Sequence, residues 1–253
     1  MRRSARGGSR GKKSDGKGSR PTTSQSEREE LQDESGNIAW RCAIEGKAER
    51  LNRCFENSED PYHEKIEEMM GLRDDDEGKT PLDIASILGR DKVVGEIIYR
   101  NFDVNCKMEK SFYTSLHLAA AWGSIKCVKQ LVEAGADLHH KNSAGERARE
   151  IALRYSQTEC VDYLDWAEAK QDLLLCIERM RATLGDNEKV QGKLTRDDKN
   201  IANGACNEKQ VWVDGSPNAT TKDYIAMKHD LDEILTPIWE KINNPSKEFL
   251  FLH

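Results

Sequence analysis

Seven cysteines and six histidines are the residues of this chain best suited to chemistry. A thiolate can act as a nucleophile or metal ligand, and an imidazole as a base or ligand. The cysteines stand at Cys42, Cys54, Cys106, Cys127, Cys160, Cys176 and Cys206, an odd number with no Cys-x-x-Cys pair. That spacing lacks the pattern of a zinc site and points to reduced thiols. His139-His140 has the composition of a metal pair, but neighbours on an extended arm point to opposite faces. The run Asp74-Asp75-Asp76-Glu77 lacks the alternating ligands of a calcium loop. No Walker loop, Gly-x-Ser-x-Gly elbow or His-Glu-x-x-His occurs. The reading is therefore not an enzyme, with no cofactor, no metal and no small-molecule substrate. Asn218-Ala219-Thr220 matches a glycosylation sequon, which carries nothing in a chain read as intracellular.

The elements around these residues explain them better. Thr80-Pro81-Leu82-Asp83-Ile84-Ala85 returns, weakened, at Thr114-Ser115-Leu116-His117-Leu118-Ala119, after 34 residues. In the first copy Thr80 opens a helix, Pro81 takes its first position and Leu82 and Ala85 face inward. Gly89 ends it, and Val93, Val94, Ile97 and Ile98 line a second helix. The second copy repeats this with Leu116, Ala119, Gly123, then Cys127, Val128, Leu131 and Val132. Gly135 closes it as a C-cap, where unit two has Asn101. A period near 33 with Thr-Pro-Leu-His-x-Ala marks stacked helix pairs.

On these motifs, residues 34–165 resemble the ankyrin-repeat family. The expected units are about 37–56, 78–106, 111–140 and 145–165, with an acidic insert at 57–77. The outer two are degenerate. Asn37-Ile38-Ala39-Trp40 replaces the motif in the first and Gly145-Glu146-Arg147-Ala148 in the last, as suits capping units with a wet face. In the insert, Ile66, Met69, Met70 and Leu72 predict one short helix, lying on the solenoid or, with its acids, facing a basic partner.

The family resemblance implies an all-α solenoid that binds proteins through hairpin tips and a concave face. The tip residues it singles out are Lys107, Lys110, Phe112, Tyr113, Lys141 and Asn142, with Trp122 on the concave side or packed on a neighbour. It makes His117 a structural residue that ties adjacent repeats. It also marks Asn105 and His139 as hydroxylation positions, since Ile97-x5-Asp103-Val104-Asn105 and Leu131-x5-Asp137-Leu138-His139 resemble the modified pattern.

Outside the repeats the chain is polar. The net charge is −6, yet residues 1–20 carry +7 and the remainder −13. Residues 1–33 are expected to be a disordered basic tail, read as solvated, as a nuclear-import patch, or as a contact for tubulin or another acidic surface. Trp166, Leu173, Ile177, Met180 and Leu184 place an amphipathic helix at 166–185. Residues 186–219 are expected to be a flexible linker, with an extended piece at Val211-Trp212-Val213. Tyr224, Leu231, Leu235, Ile238 and Ile242 place a second amphipathic helix at 220–243, kinked or ended by Pro237. A tail follows at 244–253. The two helical seams match, predicting an antiparallel pair or a dock for a partner helix.

The leading expectation is a protein-binding adaptor, in the cytoplasm, at a cilium, or at a midbody or cleavage furrow. This layout resembles an ankyrin-repeat family associated with cell division and cilia. A structural microtubule or axoneme component and a nuclear regulator are the alternatives. No apolar run is long enough for a bilayer.

Overall fold

A computed structural model describes residues 36–74 and 77–243. The expectations for 1–33, for Asp75 and Asp76, and for 244–253 lie outside these residues. From Asn37 onward the described chain is all-α, with one isolated antiparallel bridge between Lys107 and Thr114.

The stack begins with α1 (Ile38–Glu45) and α2 (Ala48–Glu56). The Asn37 side chain caps α1 by accepting from Ala39 N, and its Nδ2 donates to Met69 O at 2.7 Å. That second bond fixes the insert, whose helix α3 (Ile66–Gly71) buries Ile66 and Met70 against the stack. Glu59, Glu64, Glu67, Glu68 and Glu77 are exposed. Asp60 instead forms a buried 2.8 Å pair with Arg50, and half-buried Asp74 accepts from the backbone N–H groups of Glu77, Gly78 and Lys79.

Unit two is α4 (Pro81–Ile87) and α5 (Asp91–Tyr99), and unit three α6 (Ser115–Ala121) and α7 (Ile125–Glu133). Unit four opens with α8 (Ala148–Arg154) and continues into α9 (Thr158–Gly185). The first helices α1, α4, α6 and α8 pack side by side in one row, and the second helices α2, α5, α7 and α9 in another. Between the rows lies a core that includes Leu51, Leu82, Val94, Ile97, Leu116, Leu131 and Leu164. Buried Cys42, Cys54, Cys127 and Cys160 belong to it. Burial pushes the Cys127 and Cys160 thiols up to about 11, so both stay protonated and inert.

Two boundaries differ from expectation. The fourth unit does not stop at residue 165, because Thr158–Gly185 is one unbroken 28-residue helix. Residues 186–219 are not a linker. They hold α10 (Asn187–Val190) and α11 (Arg196–Gly215), and Val211-Trp212-Val213 is the last turn of α11 rather than an extended piece. Thr195 caps α11 in a reciprocal box with Asp198. Its buried face is built of Ala202, Ala205 and Cys206, small side chains that lift hydropathy little yet pack closely.

The final helix α12 (Thr221–Asn243) runs through Pro237 instead of ending there. Leu231, Leu235, Ile238 and Ile242 lie buried on one face across the proline. Their burial outweighs the single backbone bond that Pro237 cannot make. Helices α9, α11 and α12 enclose a second core around Leu173, Ile177, Met180, Tyr224 and Leu231. Trp166 joins the two cores: its ring touches both and its Nε1 donates to Ala219 O at 2.9 Å.

Candidate protein-binding surface

The row of first helices carries a regular feature that begins at its capping residues. Thr80, Thr114 and Arg147 precede α4, α6 and α8. Eight residues after each cap stands Leu88, Trp122 or Tyr155. Each is followed by a residue in left-handed backbone: Gly89, Gly123 or Ser156, with φ of 64°, 69° and 58°. The left-handed residue turns the chain sharply away and leaves the side chain before it outside the stack. Leu88, Trp122 and Tyr155 are accordingly 44%, 65% and 54% exposed. In unit one the matching position, before Gly46, is Glu45. An apolar stripe thus crosses units two to four and stops at an acid.

Two open cavities lie along this face. One, of about 370 Å³, is lined by Glu77, Met108, Lys110, Ser111, Tyr113 and Leu118. The other, of about 380 Å³, is lined by Tyr113, Leu118, Ala121, Trp122, Tyr155 and Gln157. Shared Tyr113 and Leu118 make them one groove, running from the hairpin tip along α6 to the helix turn. Its wall is stiffened by Arg154, which donates to Tyr113 Oη at 3.3 Å, lies over the Tyr155 ring at 5.0 Å and pairs with Glu146 at 3.1 Å.

The residues expected to bind a partner separate into three groups. Phe112 and Trp122 are exposed, Tyr113 is half-buried in the groove wall, and Lys107, Lys110 and Lys141 are exposed. Trp122 is therefore not packed on a neighbour. Asn142 does not belong with them. It is buried, its Oδ1 accepts from Ala144 N and Glu146 N at 2.9 Å each, and it shapes the turn instead of facing a partner. A side-chain amide commonly folds back on its own loop in this way. Leu88 and Tyr155 lie outside the recognised motif, although the eight-residue offset from each cap marks them; Arg154 stands one residue before Tyr155 and joins the groove through its contact with Tyr113.

Beneath the groove the caps also fasten one repeat to the next. Asp83 accepts from Thr80 N at 2.8 Å, Thr80 Oγ1 at 2.9 Å and Ser115 Oγ at 2.6 Å. Burial pushes its carboxyl above the ordinary carboxylate range, against the pull of those donors. His117 Nδ1 lies 3.2 Å from Thr114 N and its Nε2 3.3 Å from Glu146 O. Burial lowers this imidazole to about 4, so it is neutral at pH 7. A histidine locked between two backbone groups is a tie, with no free nitrogen for substrate. Arg147 makes the third joint, pairing with Glu150 and with Glu168 of α9 at 2.9 Å.

The two positions of the hydroxylation pattern both serve the hairpin arms. Asn105 donates to Gly135 O at 3.1 Å and accepts from Asp137 N at 2.8 Å. His139 stands 3.5 Å from Asp172. His140 Nε2 lies 3.0 Å from Phe112 O, so the adjacent histidines engage separate neighbours. Among the described residues one group has ligand spacing, His229, Asp230 and Glu233, all exposed on α12. No helix among the described residues is long and apolar enough to cross a membrane.

Comparison with known proteins agrees with this architecture. A family model described as ankyrin repeats, three copies, matches residues 96–172. Ankyrin repeat domain-containing protein 45 of Danio rerio is 44% identical over 131 residues, 52% of this chain and 58% of the relative. The chain thus spans under two thirds of that relative. The Homo sapiens protein of the same name is 36% identical over 203 residues, covering 80% of this chain and 76% of the relative. The Mus musculus protein is 36% identical over 227 residues, covering 88% and 91%. The last two matches run past the repeats into the C-terminal helices, and the chain belongs to the ankyrin repeat domain-containing protein 45 family.

Proposed function

We propose that this chain is a non-enzymatic adaptor that captures a protein partner in the groove along α6. The observation that carries the reading is the exposed stripe of Leu88, Trp122 and Tyr155 beside the groove, at matching positions in three consecutive repeats. Large apolar side chains held at fixed spacing on a rigid frame make good anchors, because little conformational freedom is lost when they are covered. Ankyrin repeats support a protein partner in general terms.

The finer reading puts this adaptor in the cytoplasm, at division structures or cilia, and is supported by the family layout alone. The basic residues 1–20 supply a second contact for an acidic surface such as tubulin. A stable place in a microtubule assembly is the alternative function, and a nuclear regulator the next. Removing residues 1–20 and following the protein in dividing and ciliated cells separates these readings.

The groove itself is tested by replacing Phe112, Trp122 and Tyr155 with serine in the full chain. Proximity labelling should then lose a defined subset of neighbours while the helical circular dichroism stays. An unchanged set of neighbours would rule the groove out.

A further inference from the structure

The charges around the groove are not balanced, and the imbalance identifies what fits it. The body of the chain is strongly acidic, with −13 outside residues 1–20. The groove is bordered instead by cations. Lys110 lines the cavity at the hairpin tip, and Lys107 and Lys141 stand exposed on the neighbouring arms. None of the three makes an ion pair among the described residues. Arg154, on the wall beside Tyr113 and Tyr155, keeps about half its side chain exposed at 48% despite its pair with Glu146.

Among the described residues, the acids beside the groove are mostly spent. Glu77 at the cavity mouth pairs with Lys79, and Glu146 with Arg154. Glu109 is the exposed acid left on the tip. A ligand entering the groove therefore meets unpaired ammonium groups at one end and an apolar cleft of Leu118, Ala121, Trp122 and Tyr155 at the other.

We infer that the occupant is an acidic peptide segment carrying a large apolar or aromatic anchor. The anchor enters the cleft between Trp122 and Tyr155, and flanking carboxylates lie toward Lys110, Lys107, Lys141 and Arg154. This inference rests on the groove reading above and adds the chemistry of the partner. A neutral segment gains nothing from these cations and a basic one is repelled by them. Fields from exposed lysines act on encounter as well as on affinity, so binding should weaken as salt is raised.

A displayed library of short random peptides, selected on the full chain, tests this. Enriched peptides should carry Asp or Glu beside Trp, Phe or Leu. Changing Lys107, Lys110 and Lys141 together to Glu should weaken the selected peptides by about tenfold, the combined effect of three exposed ion pairs. Trp122→Ser with Tyr155→Ser should abolish their binding. Peptides that need Trp122 but show no acidic bias, or that bind the charge-reversed variant equally well, overturn the acidic partner and leave the groove standing. Failure to enrich any peptide that depends on Trp122 and Tyr155 overturns both.

Discussion

Ser115 Oγ donates to Asp83 Oδ1 at 2.6 Å, across the joint between the second and third repeats. The same carboxylate caps its own helix through Thr80, so one buried group holds a helix start and a repeat boundary together. At the next joint a histidine takes over: His117 caps α6 and reaches Glu146 O. Two residue types of opposite charge tendency thus fill one structural office.

Asp83→Ala removes the acceptor for three donors at once. Buried donors left unpaired, together with the lost cap, should cost about 3 kcal/mol. Urea unfolding of the full chain measures this. A loss below about 1 kcal/mol would show that the joint does not depend on the carboxylate.

His117 makes stability depend on pH. Its folded value of about 4 lies below the ordinary 6.5, so the folded state binds fewer protons between those values. The stabilisation is present above pH 6.5 and is lost as pH falls toward 4. The full effect is about 3 kcal/mol. Thr114, Tyr113, His140 and the Glu146 carbonyl surround the ring, and Asp137 acts on it from the next hairpin. His117→Gln should be less stable at pH 7 and show a shallower decline on acidification. Asp83 titrates in the opposite sense, so the difference between the two proteins is what isolates His117. Parallel curves for the two would refute the assignment.

Gly123 and Gly135 should respond differently to alanine. Both have positive φ, at 69° and 86°. An added Cβ at Gly135 meets nothing, so only left-handed strain remains, about 1–2 kcal/mol. At Gly123 it would overlap the Gln157 side-chain amide, which donates to Ala121 O. Gly123→Ala should therefore lose more than Gly135→Ala, and adding Gln157→Ala should recover part of the difference. Thermal unfolding of the three variants checks the order.

The repeats were legible because single residues carry two signals there. Thr80, Pro81 and Leu82 mark a cap, a first turn and a buried face in three consecutive letters. Helix α11 was not, because Ala202, Ala205 and Cys206 raise hydropathy little and the intervening Asn, Lys and Gln read as a linker. The groove lay between these cases. Its tip residues stand beside a recognisable motif, but Arg154 and Tyr113 meet across 41 residues of sequence, and no local pattern announces such a contact. Asn142 misled for a related reason, since an exposed turn and a buried turn amide share one composition.

Pro237→Ala should stabilise the chain. The proline sits inside α12, where it withholds an N–H from the helix ladder. Alanine restores that bond and removes the ring's clash with the preceding turn, for a gain of about 1–2 kcal/mol after allowing for a more flexible unfolded chain. A higher denaturation midpoint in urea is expected. An unchanged midpoint would mean that the helix has already absorbed the defect.

Helix α9 serves as the second helix of the last repeat and as a wall of the C-terminal bundle without a break. Arrays of this kind ordinarily lengthen by copying a unit at an end. Here a duplicate placed after unit four would have to cut a helix whose far half is already committed to Leu173, Ile177 and Met180. The array is closed to growth on that side. On that side its reach is set once, at the point where α9 passes from the repeats into the bundle.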